Sequence, residues 1–459
     1  MDAWRGRRVV VVGLARQGKA VARHALDQGA NVVITDLRPA HDLVAQMEEL
    51  AGAPVEYFLG GHPPEAIAGA DLLCLSGGVP ADLPLAQQAR RLGIAVTNDS
   101  QLFLEGCPAP TIGITGSAGK TTTTALLGEM ARRWAERSGR RAWVGGNIGR
   151  PLLADLGNIR AQDLVVMELS SFQLEVMTRS PAIAVLLNLT PNHLDRHRTM
   201  EAYRQAKARI LDFQSADDLA VLGAADDGAW ALRSRVRGRL AAFAPRLPQG
   251  VDGAELVDGE IVLRRGGQAR TVGPRSAIRL RGEHNLMNVL AACAAAAGAG
   301  IPESIMAEAI AAFAGVPHRL TFVRRVGQAD WYNDSIATTP ERSLAAIRSF
   351  EEPLVLLAGG RDKDLTWDEF GDIVRQRVDH LVLFGEAAEK IAAAVGPLPA
   401  VGRLQTIDRS SDLHGAIELA ARRAQPGDVV LLAPGGTSFD EFRDFAERGD
   451  RFEEWVREL

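Results

Sequence analysis

Thr115-Gly116-Ser117-Ala118-Gly119-Lys120-Thr121-Thr122 follows the apolar run Thr111-Ile112-Gly113-Ile114. It opens a segment, Thr123 to Arg133, in which Ala125, Leu126, Leu127 and Met130 recur at helical spacing. A buried strand, a Gly-rich turn carrying Lys and Thr, and then a helix make a phosphate cradle. Glycines let backbone N–H groups close around an anion, and the helix N-terminus adds a favourable dipole. Gly116, Ser117, Gly119, Lys120, Thr121 and Thr122 are the expected contacts. Lysine reaches the outer phosphates, and the Thr121 hydroxyl can hold Mg²⁺. The strict pattern has Gly where this chain has Ile114, so the loop is a variant. A plain Gly-rich turn is the competing reading, and Gly-Lys-Thr-Thr in this setting argues against it.

At 459 residues the chain is too long for one core, and about two to four domains are expected. Hydrophobic residues make up 46% and charged residues 24%, as in soluble globular proteins. A formal net charge of −5 leaves no basic excess to neutralise phosphates, which argues against a dedicated nucleic-acid binder. Cys74, Cys107 and Cys293 are widely spaced and read as free thiols of a reducing compartment. The first residues lack an apolar signal core, and the longest apolar run, near Ala291 to Ala299, is too short to span a bilayer. A cytoplasmic, soluble, multidomain protein without membrane partners is expected.

Working outward, the chain reads as three α/β units in series. The first begins with Arg8-Val9-Val10-Val11-Val12-Gly13, continues through Leu14-Ala15-Arg16-Gln17-Gly18 into a helix, and reaches a second strand, Ala30 to Asp36. This is a Rossmann-like opening, with Ala15 in place of the middle Gly of the dinucleotide fingerprint. The pattern fits NAD, another nucleotide, a UDP-sugar or merely a tight turn. Asp71 to Ser76 reads as a further strand, with Gly77-Gly78-Val79-Pro80 at its carboxyl end. In the second unit, Leu164 to Met167 runs into Glu168, and Ile183 to Leu189 forms another strand. Glu260 to Leu263 and Ser276 to Leu280 suggest small β-hairpins added to that unit. The third unit reads Pro353 to Gly360, helix, His380 to Gly385, and finally Asp428 to Gly436. Alternating strands and helices imply mostly parallel sheets.

Polar residues gather after several of these strands. Glu168 offers a hard oxygen ligand near the mouth of the phosphate loop, against the reading of an ordinary surface acid. His193 follows the strand that ends near Leu189. Lys207 sits in the helical Tyr203 to Ile210 and, taken alone, is a solvated lysine. Asn333-Asp334-Ser335, Gly360-Arg361-Asp362-Lys363 and Gly436-Thr437-Ser438 are polar strand-end loops of the third unit.

Together these segments resemble the Mur ligases, the ATP-dependent amide-bond-forming enzymes of peptidoglycan precursor synthesis. The resemblance spans essentially the whole chain. It rests on residues 115–122, Gly-Gly-Asn-Ile-Gly at 145–149, Glu-Leu-Ser-Ser-Phe-Gln-Leu-Glu at 168–175 and Asn-Leu-Thr-Pro-Asn-His-Leu-Asp at 188–195. It continues with Gly-Glu-His-Asn at 282–285, His-Arg at 318–319, Asn-Asp-Ser at 333–335 and Ser-Phe-Asp-Glu-Phe at 438–442. Residues 168–175 are similar to the glutamate-adding branch in particular.

The resemblance implies three domains, at 1–107, 108–315 and 316–459. A Rossmann-like N-terminal domain would bind UDP, a central P-loop-type domain would bind ATP, and a C-terminal Rossmann-like domain would bind glutamate and nucleotide. It places Leu14, Ala15, Asp36, Arg38 and Gly78 near the uracil and pyrophosphate, and Asn147 on the muramoyl group. Lys120 and Thr121 would bind ATP phosphates and Mg²⁺, with Glu168 and His193 as metal ligands. Lys207 matches a lysine carried as a carbamate, a carboxylate surrogate for a second Mg²⁺. Asn285, Arg319 and Asp334 fall at nucleotide-contacting positions, and Thr338, Lys363, Ser438 and Phe445 around the incoming glutamate. Two departures stand out: Ala118 where the family usually has Asn, and Ile336 where many members have Lys.

The implied reaction adds D-glutamate to UDP-N-acetylmuramoyl-L-alanine through an acyl phosphate, in a monomer. L-Glutamate with the same acceptor is an alternative. A folylpolyglutamate-synthase-like ligase is another, although that family lacks a UDP-binding first domain. From a different class, an NAD-dependent dehydrogenase would use the first unit, against which Ala15 and the phosphate loop both argue.

Overall fold

The computed structural model describes residues 4–192, 194–398 and 401–459. Three sheets organise them. In the first, β1 (Arg8–Val12), β2 (Asn31–Asp36), β3 (Val55–Leu59), β4 (Leu72–Leu75) and β5 (Ala95–Asn98) are all parallel, in the order β3-β2-β1-β4-β5. Val9 to Val12 are fully buried, as a central strand covered on both faces requires. The strand order reverses beside β1, so the turn Gly13-Leu14-Ala15 opens where open α/β sheets take ligands.

The second sheet has nine strands: β6 (Thr111–Thr115), β7 (Ala142–Gly146), β8 (Leu164–Glu168), β9 (Ile183–Leu186), β10 (Leu219–Gly223), β11 (Arg239–Phe243), β12 (Asp252–Val257), β13 (Glu260–Arg265) and β14 (Gln268–Pro274). Their order is β14-β13-β12-β11-β10-β9-β6-β8-β7. Strand β6 lies between β8 and β9, with Ile114 beside Glu168 and Thr115 beside Leu186. The phosphate loop therefore leaves the sheet next to the Glu168 carboxylate.

The hairpin expected around Glu260 to Leu263 is present: β13 pairs antiparallel with both β12 and β14, and these strands extend the central sheet. Two other expectations need correction. Residues 276–280 are not a strand. Pro274 closes β14, and a single helical turn, Arg275–Ala277, follows it. Proline offers no N–H to continue a ladder. The strand expected to run to Leu189 also ends earlier, at Leu186, and the residues beyond it serve the phosphate loop.

The third sheet contains β15 (Thr321–Val326), β16 (Ala329–Asn333), β17 (Leu354–Gly359), β18 (His380–Phe384), β19 (Thr406–Arg409) and β20 (Val429–Gly435), in the order β15-β16-β20-β17-β18-β19. Only β15 is antiparallel to its neighbour.

The chain forms two compact units. One comprises Met1–Arg279 with Glu283–Phe313, and the other Leu280–Gly282 with Ala314–Leu459. The first unit holds the first two sheets, which share apolar packing that includes Val9 and Leu102 with Val165 and Leu174. Polar contacts reinforce it: Asn98 Nδ2 donates to Gln173 O at 2.7 Å, and Gln173 Nε2 to Ser100 Oγ at 2.8 Å.

In the second unit a buried cation secures the strand ends. Arg448 is 0% exposed and donates to Ser335 O, Ser335 Oγ, Gly436 O and Thr437 O at 2.9 to 3.2 Å. Burial lowers its pKa to about 10 while Asp440 and Glu441 oppose that shift, so it stays charged at neutral pH. It staples the loop after β16 to the loop after β20. Replacing it by Met strands three buried carbonyls, at about 1–3 kcal/mol for each unsatisfied group. Arg448→Met is therefore expected to lower unfolding stability by about 3 kcal/mol or more. Denaturant titration checks this, and a loss under about 0.5 kcal/mol contradicts it.

Candidate functional site

The helix Lys120–Arg137 begins three residues before the sequence pattern suggested, with Gly119 as its left-handed N-cap at φ 83°. A Cβ at Gly119 would lie 2.2 Å from Asn288 Oδ1, so both conformation and space demand glycine. No side chain caps the helix, which leaves its first N–H groups for a ligand. Lys120 Nζ donates to the carbonyls of Gly116 and Ser117 at 2.9 and 3.1 Å.

Side chains from elsewhere shape the loop. Ser117 Oγ donates to Thr190 O and accepts from Thr190 N at 2.9 and 3.0 Å, and Tyr203 Oη donates to it at 3.1 Å. Asn188 holds both backbone atoms of Ala118, accepting from its N at 2.8 Å and donating to its O at 3.2 Å. At the helix start, Thr123 Oγ1 donates to Asn288 Oδ1, and Asn288 Nδ2 donates to Asn285 Oδ1 at 3.0 Å. Asn285 is thus linked through Asn288 to the start of the phosphate-loop helix.

Beside the loop lies a buried polar group of another kind. Glu168, at the end of β8, is 2% exposed, which removes the surface-acid reading. Asn147 Nδ2 donates to its Oε1 at 2.7 Å, and Asn147 N donates to its backbone carbonyl at 2.9 Å. Its Oε2 has no hydrogen-bond partner among the described residues. A buried acceptor left unpaired is costly, and a carboxylate more so, unless a cation completes it. Gly146 makes the close approach possible: at φ 97°, a Cβ there would sit 2.5 Å from Glu168 O.

Lys207 is 1% exposed, contrary to the solvated lysine that its helix alone suggested. It projects from the helix Met200–Asp212 to donate to Thr115 Oγ1 at 3.2 Å, with its Nζ 4.9 Å from the Tyr203 ring centroid. Burial pushes its pKa well below the ordinary lysine value; Lys120 adds to the shift and Glu168 opposes it. Lys120, Glu168 and Lys207 are thus brought together. His193, expected with them, lies outside the described residues.

In the first sheet the Asp36 carboxylate is fully engaged. Its Oδ2 accepts from Leu14 N at 2.7 Å and Arg38 Nη2 at 2.9 Å, and its Oδ1 from Arg38 N and Nε at 2.9 and 3.1 Å. Burial disfavours its charge, but the Arg38 guanidinium and these N–H groups prevail and hold its pKa to about 2. Asp36 therefore ties the β1 turn to Arg38. Ala15 is the exposed, uncapped entry to the helix Arg16–Asp27. Gly78 follows Gly77, whose N donates to Gln17 Oε1 at 2.7 Å.

In the second unit, Thr338, Lys363 and Ser438 follow the adjacent strands β16, β17 and β20. Gly435 N donates to Ala337 O at 2.8 Å, and Arg361 pairs with Thr437 through reciprocal backbone bonds of 2.8 Å. Ser335 Oγ donates to Phe445 O at 2.8 Å, which brings Phe445 to the same end of the sheet. Lys363 is exposed, and partial burial together with Arg342 pulls its pKa below the usual value. Asp334 is buried and accepts from Leu320 N at 3.0 Å. Burial raises its pKa to about 7, against the pull of Leu320 N–H, Arg319 and Arg342. At the second departure, Ile336 makes backbone bonds alone: its N donates to His318 O at 3.1 Å, and its carbonyl accepts from Thr338 N at 2.8 Å and from Arg342 Nη1 at 3.4 Å.

Sequence reasoning missed Tyr203, Asn288 and Arg448. The first two had a signal, because Tyr203 is one helical turn before Lys207 and Asn288 one turn after Asn285. Arg448 had none, since its acceptors lie on remote loops.

Comparison with known proteins agrees along the whole chain. Residues 7–98 match the Mur ligase MurD-like N-terminal domain, 114–296 the Mur ligase middle domain and 318–436 the Mur ligase, glutamate ligase domain. A UDP-N-acetylmuramoylalanine–D-glutamate ligase of Symbiobacterium thermophilum is 42% identical over 453 residues, covering 98% of each chain. One from Trichlorobacter lovleyi is 38% identical, covering 99% of each. Among solved structures, the UDP-N-acetylmuramate–alanine ligase MurC of Thermotoga maritima aligns with a TM-score of 0.56 at 20% identity, over 98% of this chain and 99% of that one. The MurF ligase of Thermotoga maritima in complex with ADP aligns at 0.54 and 18% identity, over 100% of both. These two show the shared fold, while the relatives of 38–42% identity show the family. The chain belongs to the Mur ligase family.

Proposed function

We propose that this chain joins D-glutamate to UDP-N-acetylmuramoyl-L-alanine at the expense of ATP, a step of peptidoglycan precursor synthesis. The observation that carries the reading is the Glu168 oxygen, unpaired among the described residues and buried one strand from an uncapped phosphate loop. The names of the full-length relatives supply the substrates and favour D- over L-glutamate. The match at 7–98 supports an acceptor-binding first domain, against a folylpolyglutamate-synthase-like or dehydrogenase reading. We divide the chain into domains at 1–107, 108–315 and 316–459. The reading carries with it a cytoplasmic monomer acting on small molecules, with no nucleic-acid or membrane partner. Among the described residues no helix is long and apolar enough to cross a membrane.

The acceptor's alanyl carboxylate is a poor acyl donor, so its oxygen attacks the γ-phosphorus of ATP and ADP leaves. The glutamate amine then attacks the acyl phosphate, and phosphate departs from a tetrahedral intermediate. Gly116, Ser117, Gly119, Thr121 and Thr122 cradle the phosphates. Lys120 exchanges its loop carbonyls for phosphate oxygens and offsets the charge that gathers during transfer. Thr121, Glu168 and His193, with Lys207 once it carries a carbamate, would hold Mg²⁺ through oxygen and imidazole ligands, and the Glu168 oxygen without a partner among the described residues is suited to that cation. Mg²⁺ held there would neutralise phosphoryl charge. Asn147 orients Glu168 and meets the muramoyl group. Lys207, desolvated and so inclined to be neutral, is suited to carry a carbamate. Leu14, Ala15, Asp36, Arg38 and Gly78 receive the UDP end. Asn285, Arg319 and Asp334 contact the ATP nucleotide, and Thr338, Lys363, Ser438 and Phe445 receive glutamate.

Phosphate release is expected to require ATP, acceptor and glutamate together, and Lys120→Ala is expected to abolish it while leaving the fold intact. Near-normal turnover in a folded Lys120→Ala variant contradicts the assignment. Lys207→Ala is expected to be nearly inactive and partly restored by short carboxylates; an active enzyme whose intact mass, in bicarbonate, shows unmodified lysine counts against the carbamate.

Glutamate carries two carboxylates, and Lys363 makes no ion pair with a described residue. Losing one charge-assisted hydrogen bond costs about 1.5–3 kcal/mol, so Lys363→Ala is expected to raise the KM for glutamate about ten- to a hundred-fold. The constants for ATP and acceptor should move much less. A raised ATP constant with glutamate untouched would show the pocket to be misplaced.

A further inference from the structure

Arg196 stands between the Gly77-Gly78-Val79 loop and the phosphate-loop half of the first unit. Its Nη1 and Nη2 donate to the carbonyls of Gly78 and Val79 at 3.3 and 3.0 Å. Its Cζ lies 4.5 Å from the Phe172 ring centroid, and Nη2 is 4.0 Å from Glu175 Oε2. Only 20% of the side chain is exposed. Glu175 Oε1 is 3.1 Å from His197 Nδ1, and the other ring nitrogen, Nε2, is 2.9 Å from Ser171 Oγ. His197 stacks on Phe172 with ring centroids 5.5 Å apart, and its ring centroid is 5.1 Å from that of Tyr203. Tyr203 in turn bonds Ser117 of the phosphate loop. A continuous run of contacts therefore connects the Gly78 loop to the ATP cradle.

Ser171, His197 and Glu175 have the spacing of a nucleophile, a base and its orienter. Ser171 and His197 are both buried, however, so a substrate carbonyl has no approach to the hydroxyl. The chain of contacts is suited to holding positions rather than to bond making. A guanidinium can satisfy two successive carbonyls while stacking on a ring; an ammonium cannot reproduce that planar fork.

We propose that Arg196 is a positioning residue for the UDP-linked acceptor: it fixes the Gly77–Val79 loop in register with the phosphate loop, so that the nucleotide end and the reacting carboxylate are placed together. This rests on the acceptor reading of Gly78 given above. Misplacement of a bound substrate by about 1 Å costs on the order of a hundred-fold in rate, so a loosened loop has a measurable price.

Steady-state kinetics on the full chain tests it, with the wild type, Arg196→Lys and Arg196→Ala compared. The acceptor KM is expected to rise about ten-fold or more in Arg196→Ala and less in Arg196→Lys, with the constants for ATP and glutamate and the melting midpoint nearly unchanged. Added guanidinium is expected to lower the acceptor KM of Arg196→Ala and to leave that of Arg196→Lys alone. An unchanged acceptor KM overturns the inference, as does a parallel rise of all three constants with a lowered melting midpoint. Should Arg196→Ala fail to fold, Arg196→Lys decides alone, and an unchanged acceptor KM there is fatal. A wild type that releases phosphate without needing the acceptor overturns the underlying reading as well; variants that match an acceptor-dependent wild type overturn only the role of Arg196.

Discussion

A buried carboxylate with one oxygen unpaired among the described residues is the constraint around which the catalytic half of the molecule is arranged. Glu168 is held from one side by Asn147, and its other oxygen sits one strand from the phosphate loop. Desolvating such a group is tolerable only if positive charge completes it. Lys207 is near enough to feel it, yet neither Lys207 nor Lys120 bonds it: Lys207 turns to Thr115 and Lys120 to its own loop carbonyls. The parallel order β9-β6-β8-β7 enforces this, since it ends the phosphate-loop strand and the Glu168 strand at the same edge. In the proposed function Glu168 would help hold Mg²⁺, which would supply the charge that completes this carboxylate.

Much of this was legible in the sequence because local patterns specified it. The phosphate loop announces itself through Gly119, whose backbone and neighbours admit no side chain, and Glu168 through the apolar run that ends in it. The strand ends of the third sheet were legible for the same reason, as apolar runs broken by Gly-Gly. Lys207 was not. A lysine among Ala206, Ala208 and Arg209 reads as solvent-facing, and only the packing of its helix against β6 shows that it is buried. Arg448 was illegible because its acceptors are over a hundred residues away in Ser335, or on a loop whose path depends on the sheet. The Ser276 to Leu280 error was local: its apolar residues alternate plausibly, but Pro274 had already ended the strand.

The two departures from the family pattern fall on backbone that is held by other means. Asn188 grips both backbone atoms of Ala118, so the loop keeps its course without an asparagine at that position. Ile336 presents its carbonyl to Arg342, a cation that also influences Lys363 and Asp334. In the first unit, the Arg196 contacts extend the same logic from the phosphate loop to the acceptor loop.

The central claim is that ATP activates the acceptor's own carboxylate. Acceptor carrying ¹⁸O in the alanyl carboxylate, turned over with ATP and glutamate, tests it directly by mass analysis of the released phosphate. The account predicts one ¹⁸O in each phosphate, because the oxygen that attacks phosphorus leaves with it when the amine displaces the acyl phosphate. Phosphate free of label, formed alongside amide product, would contradict the account.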